Sequence, residues 1–88
     1  MVSKQVTVTN TVGFHARPAS LLIHRAKNYQ SSFTLTKNGL NTDLKSLISL
    51  MKLKVKCGDT VTLSADGPDE GKALEDLVTL IKSRFGEE

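Results

Sequence analysis

Three stretches of this chain place their apolar residues at alternate positions, with Lys4 the single polar residue in that phase, and they limit its fold more than any other feature. Val2, Val6 and Val8 lie on one side of a run whose other side holds Ser3, Gln5, Thr7 and Thr9. Phe33 and Leu35 alternate with Ser32, Thr34 and Thr36, and Val61, Leu63 and Ala65 alternate with Thr60, Thr62 and Ser64. A period of two sends successive side chains to opposite faces, so each run reads as a strand with one buried and one wet face. A sheet made of such strands needs cover on one side only.

A second period supplies that cover. From about residue 16, Ala19, Leu22, Ile23, Ala26 and Tyr29 recur at steps of three and four, the spacing of one helical face. Residues 46–53 read as a short helix opened by Ser46 at the N-cap. Asp66-Gly67-Pro68-Asp69-Glu70 combines a cap candidate, a proline in the first turn and acids at the positive helix end, ahead of Leu74, Leu77, Val78, Ile81 and Phe85. Lys82, Arg84 and Gly86 form the matching C-terminal signal.

Between the strands, Asn38-Gly39 offers the two positive φ angles of a type I′ turn, joining Phe33–Thr36 to a partner through Leu40, Thr42 and Leu44. Cys57-Gly58-Asp59 turns the chain into the last strand. The element order is βαββαβα, which predicts an α+β two-layer sandwich with the outer sheet face wet. Function then belongs on helix edges and loops.

With 88 residues the chain is expected to form one domain, residues 1–88, with no length for a second core. A hydrophobic fraction of 39% beside 24% charged residues suits a soluble globule rather than a disordered chain. No apolar run nears the ~20 residues of a membrane span, and Met1-Val2-Ser3-Lys4-Gln5 has no signal core, which points to the cytoplasm without membrane insertion. The single cysteine, Cys57, excludes an internal disulfide and a Cys-x-x-Cys pair, and is expected to be a small structural residue where the last strand begins. Charge is unevenly spread. Residues 1–57 hold nine Lys or Arg against Asp43 alone, whereas residues 58–88 hold eight acids against three bases. A basic first part suits nucleic acid, an acidic protein or a phosphoryl group, and charge does not choose among them.

His15 is the residue most open to chemistry. It stands beside the expected start of the first helix, where unpaired N–H groups and the positive end of the dipole form an anion site. Arg17 adds a guanidinium suited to phosphate oxygens. Pro18 lacks an N–H in a turn where one is spare, and it biases Arg17 away from helical angles. A partly neutral imidazole can take a phosphoryl group on a ring nitrogen. The segment offers no acidic orienter, no second histidine at metal-ligand spacing and no adjacent Ser or Cys nucleophile, which weakens hydrolase and zinc readings. On local chemistry alone, a surface histidine capping a helix and a phosphoryl or anion site stand level.

The polar stripe Arg17, Ser20, His24 and Lys27 shares one side of the first helix, with His24 read as a solvated residue rather than a catalyst. In the short helix, Leu47, Ile48, Leu50, Met51 and Leu53 are more apolar residues than one face can bury. If Leu50 and Leu53 point inward, Ile48 and Met51 are exposed with Leu47 at the border. Ringed by Lys45, Lys52, Lys54 and Lys56, they would form a docking surface for an acidic protein; burial all round is the alternative. The Ser46 hydroxyl is explained by capping alone, yet a phosphate there would put negative charge beside the basic rim. Gly67–Lys72 falls one residue short of a nucleotide-binding loop and contains two acids that repel phosphate. The 5% aromatic content argues against nucleic acid as a partner.

The segment Gly13-Phe14-His15-Ala16-Arg17-Pro18-Ala19-Ser20 closely resembles the active-site signature of the HPr family, the histidine-containing phosphocarriers of the bacterial sugar phosphotransferase system. Length, element order, Leu44-Lys45-Ser46 with its apolar helix, and the Ala65-Asp66-Gly67 turn extend the resemblance over essentially the whole chain. It implies an open-faced sandwich with a four-stranded antiparallel sheet under three helices. It also implies a stoichiometric carrier rather than an enzyme, without cofactor or metal. Such a carrier accepts a phosphoryl group from phosphorylated enzyme I and passes it to the A domain of a sugar-specific enzyme II. On this resemblance His15 matches the residue phosphorylated on its δ nitrogen and Arg17 the residue that steadies the phosphate. Ala16, Ser20, His24, Lys27, Leu47, Ile48, Met51 and Lys52 match the docking face, and a monomer is expected.

Ser46 matches the serine modified by a kinase/phosphorylase in the regulatory branch of that family, where the phosphoserine form assists a transcription regulator. Here the chain departs from the family: glycines usual within and just after the short helix are Ser49 and Lys54, and a small residue is Lys52. These changes bear on recognition by the kinase and regulator. A regulatory adaptor acting mainly through phospho-Ser46 is the alternative function.

Overall fold

The computed structural model describes residues 1–9 and 16–83. Its seven elements follow the expected order: β1 (Val2–Thr7), α1 (Ala16–Ala26), β2 (Ser32–Lys37), β3 (Leu40–Asp43), α2 (Leu47–Lys52), β4 (Thr60–Asp66) and α3 (Glu70–Lys82). All strand pairs are antiparallel, and the sheet runs β1-β4-β2-β3. The first strand and the last therefore sit side by side, with Val6 opposite Val61 and Val2 opposite Ala65. Expected to reach residue 9, β1 ends at Thr7, but the ladder continues for one more residue. Val8 N–H donates to the Asp59 carbonyl at 2.8 Å and Val8 O accepts from Gly58 N–H at 2.7 Å.

The period of two sorts the faces as expected. Val6, Val8, Phe33, Leu35, Val61, Leu63 and Ala65 are buried under the helices. On the outer face Thr7 and Thr60 lie opposite each other, their hydroxyls 3.1 Å apart. Asn38 and Gly39 take φ 51° and 83°, the double left-handed conformation of a type I′ turn. Leu40, just beyond the turn, remains 60% exposed although it follows the inward period. In register it lies opposite Lys37, on the helix side of the sheet, at the tip of the hairpin.

α1 buries Pro18, Ala19, Leu22, Ile23 and Ala26, and α3 buries Ala73, Leu74, Leu77, Val78 and Ile81. At ~1.5–3 kcal/mol for each large apolar side chain fully buried, these two faces and the inner sheet supply most of the folding drive.

Three local expectations change. Arg17 lies inside α1, which starts at Ala16, so Pro18 occupies the third helical position; its missing N–H falls among the first four, which have no intrahelical acceptor. Pro68 lies before α3, whose N-cap is Asp69. The Asp69 carboxylate makes no capping bond, because it accepts from Ser31 Oγ–H and from Gln30 N–H at 2.9 Å. Tyr29 lies past the end of α1, half-buried, and its hydroxyl donates to Asp76 on α3. Asp76 also accepts from Arg25 at 2.9 Å, so one carboxylate ties the end of α1 to α3. Phe85, Arg84 and Gly86 lie outside the described residues.

Candidate functional site

His15 lies outside the described residues, and the site is built from its sequence neighbour onward. α1 opens at Ala16, with Ala16 and Arg17 both exposed. The N–H groups of this first turn have no intrahelical acceptor and carry the positive end of the dipole. No acidic residue stands in the turn, so nothing on the helix itself competes with an incoming anion. Ser20, His24 and Lys27 continue the exposed stripe from Arg17 along the same side. Lys27 is just beyond Ala26, but its N–H still donates to the Ile23 carbonyl at 3.1 Å, so the helical path carries it on.

Leu21 is a member of this face that sequence reasoning missed. It is 42% exposed and stands four residues after Arg17 and three before His24. Its signal was an apolar residue one position outside the inward stripe.

α2 behaves as its surplus of apolar residues predicts. Leu50 is fully buried and Leu53, the C-cap, is buried, whereas Ile48 is 69% exposed, Met51 39% and Leu47 36%. Burial all round is thereby set aside. Ser46 caps the helix in an extended conformation, its hydroxyl accepting from Ser49 N–H at 3.4 Å and its carbonyl from Leu50 N–H at 3.1 Å. Lys45 is held at the turn into α2 by its N–H, which donates to Asp43 Oδ1 at 3.0 Å. Lys45, Lys52, Lys54 and Lys56 are exposed, and among the described residues none of the four ammonium groups meets a carboxylate.

The end of α2 is fastened from β2. Lys54 takes φ 53°, a conformation glycine adopts freely and an L side chain resists. Lys37 Nζ donates to the Lys54 carbonyl at 2.6 Å and to the Leu53 carbonyl at 3.3 Å, and pairs with Asp59 at 2.8 Å. The hydrogen bond from Lys37, with a second from Lys56 N–H, holds the Asp59 carboxyl below its ordinary range. Cys57, in the same turn, is exposed, and its thiol lies 3.7 Å from the Thr9 carbonyl.

The structure thus brings the exposed residues of α1 and α2 onto two neighbouring helices, since α1 packs on α2. A 300 Å³ cleft lined by Ala26, Phe33, Leu44 and Lys45 lies at the opposite end of α1 from Arg17. The described start of α1 is therefore set apart from this cleft. Among the described residues no helix is long and apolar enough to cross a membrane.

Comparison with known proteins agrees with this architecture. Residues 2–83 match the family described as PTS HPr component phosphorylation site. The phosphocarrier protein HPr of Cupriavidus necator is 41% identical over 87 residues, covering 99% of this chain and 98% of its own. The HPr-like protein Crh of Halalkalibacterium halodurans is 39% identical over 82 residues, 93% of this chain and 98% of its own. A crystal structure of HPr from Thermoanaerobacter tengcongensis superimposes with a TM-score of 0.96 at 40% identity, covering 100% of this chain and 99% of that one. In length, fold and helix order, the chain belongs to the HPr family of phosphocarriers of the phosphotransferase system.

Proposed function

We propose that His15 is the phosphoryl carrier of this chain, loaded by phosphorylated enzyme I and discharged to the A domains of sugar-specific enzymes II in the cytoplasm. The observation that supports it most directly is the start of α1 at Ala16, immediately after His15, with an exposed Arg17 and no acid in the first turn. In the loading step a lone pair on the neutral imidazole attacks phosphorus, the new N–P bond forms, and the donor keeps the electrons of the bond that breaks. A phosphoryl group carried on the residue before α1 draws on the unpaired N–H groups of the helix N-terminus and on the charge of Arg17, two positions further along. A helix end contributes ~0.3–1 kcal/mol to an exposed anion, and one charge-assisted hydrogen bond about 1.5–3 kcal/mol. That is enough to steady the group and too little to trap it, as a relay requires.

Ala16, Ser20, His24 and Lys27 on α1, with Leu47, Ile48, Met51 and Lys52 on α2, form the shared docking face. Apolar residues supply contact area and the surrounding lysines select acidic partners and speed their approach. Regulation through Ser46 is a second reading, favoured by the 39% identity to the HPr-like protein Crh. Phosphate on Ser46 adds charge at a helix start beside Lys45, where a kinase/phosphorylase and a transcription regulator would read it.

The test is incubation with phosphoenolpyruvate, magnesium and enzyme I, followed by intact mass. One acid-labile phosphoryl group is expected, absent in His15→Ala, which keeps its fold. Normal loading of His15→Ala would overturn the assignment.

A further inference from the structure

We infer that the docking face extends beyond α1 and α2 onto the β2–β3 hairpin, where Leu40 and the groove beside α2 receive an apolar side chain from an acidic partner. The proposal rests on the reading of α2 as a docking helix.

Leu40 is 60% exposed, and among the described large apolar residues only Met1 and Ile48 are more so. A lone exposed leucine is ordinary; this one has a built setting. It faces the helix side of the sheet opposite Lys37, in the layer where Leu35 is fully buried. α2 ends at Lys52 and leaves a groove of about 270 Å³, walled by Leu40, Asn41 and Thr42 on one side and Ser49, Lys52 and Leu53 on the other. That volume lies below the ~300–1,000 Å³ of ordinary small-molecule sites and suits one or two inserted side chains.

The walls are fixed before any partner arrives. A two-residue turn with both φ angles positive sets Leu40, and on the outer face of the same hairpin Thr36 Oγ1–H donates to Asn41 Oδ1 at 2.7 Å. From Lys37, directly opposite Leu40, the ammonium group reaches the Leu53 and Lys54 carbonyls at 3.3 and 2.6 Å and ties the hairpin to the end of α2. A preformed groove costs little ordering on binding.

Continuity and charge identify the occupant. Ile48 stands four residues before Lys52 on α2, and Lys52 lines the groove whose other wall is Leu40, so the groove adjoins the exposed side of α2. Lys52 on the wall and Lys54 just past it are both exposed. The partner surface is therefore acidic around one projecting apolar residue. A second copy of this chain is a poor fit, since it would bring the same lysines to face these.

The experiment measures steady-state phosphoryl transfer from enzyme I to the wild-type chain, Leu40→Ser and Ile48→Ser, with thermal unfolding of each. Leu40→Ser is expected to raise KM about fivefold, with kcat within twofold and the unfolding midpoint unchanged. In parallel, cross-saturation NMR of the wild-type complex is expected to attenuate the Leu40 methyl signals. A wild-type KM for Leu40→Ser together with unattenuated Leu40 methyls overturns the extension while Ile48→Ser still raises KM. If Ile48→Ser also leaves KM unchanged, the docking reading of α2 fails and the extension fails with it.

Discussion

Lys37 and Asp59 meet at 2.8 Å across the junction between the β2–β3 hairpin and the turn into β4, and the same ammonium group holds the carbonyl of Lys54 at 2.6 Å. The end of α2 is thus anchored to the sheet at the residue whose φ is 53°. A left-handed L residue costs ~1–2 kcal/mol, and the anchor offsets that strain.

Lys54→Gly is therefore expected to stabilise the fold. It removes the strain but adds freedom to the unfolded chain, leaving a net gain of about 0.5–1 kcal/mol. Lys37→Met is expected to lower the melting temperature, and by less when Lys54→Gly is already present. Thermal unfolding of the two single variants and the double variant measures this coupling.

Gly67 closes the link between the α1–β2 connection and α3. A Cβ placed there would stand 2.6 Å from Ser31 Cα, closer than van der Waals contact permits. Gly67→Ala must push the two segments apart and disturb the Ser31–Asp69 hydrogen bond. A loss of about 2 kcal/mol is expected from this overpacking, read as a lower urea midpoint with an unchanged slope.

Acid should loosen the same region. Hydrogen bonds from Ser31 and Gln30 lower the Asp69 pKa, a bond from the N-terminal ammonium and another from Gly67 N–H lower that of Glu70, and Lys37 does the same for Asp59. A carboxyl whose folded pKa lies below its unfolded value releases its proton more readily when folded, so its stabilisation is complete above the unfolded value of about 4. That contribution is lost as pH falls through the folded value. Urea unfolding from pH 6 to pH 2 is expected to show the decline, and Asp69→Asn to make it shallower. Tyr29 acts at the other extreme. Its hydrogen bond to Asp76 raises its pKa, so stability is expected to fall as pH rises above the ordinary tyrosine value near 10.

Leu50 and Ile48 share α2 but face opposite surroundings, one the core and the other solvent. Leu50 is fully buried, and Leu50→Ala is expected to cost about 2–5 kcal/mol. Ile48 is 69% exposed, and Ile48→Ala is expected to stay within about 0.5 kcal/mol of wild type while raising the KM of enzyme I for the carrier. Chemical denaturation and transfer kinetics on the two variants check both halves.

Ser46 holds the start of α2 through a bond of 3.4 Å, long for a cap. Ser46→Ala is expected to cost only about 0.5–1 kcal/mol. Ser46→Asp is expected to retain the cap and to weaken loading by enzyme I, through the negative charge it places beside Lys45. Calorimetry and transfer rates separate the two effects.

Much of this was legible in the chain itself, because it depends on residues a few positions apart. The period of two in Val61–Ala65, the period near 3.6 in Ala19–Ala26, the Asn38-Gly39 turn and the Ser46 cap are local relationships, and each appears where the sequence places it. The excess of apolar residues in Leu47–Leu53 likewise forced Ile48 and Met51 outward, since a short helix has one face to bury. His15 rested on local chemistry and on resemblance alone, and lies outside the described residues.

Tertiary structure decided whatever joins distant residues. The sheet order β1-β4-β2-β3, Asp69 bonding Ser31 across 38 positions instead of capping α3, and Tyr29 reaching Asp76 across 47 all depend on how layers meet. So does the fate of Leu40, whose inward period promised burial and whose place beyond the end of α2 denied it. Periodicity determines which face of a strand a side chain occupies, but only the packed neighbour determines whether that face is covered.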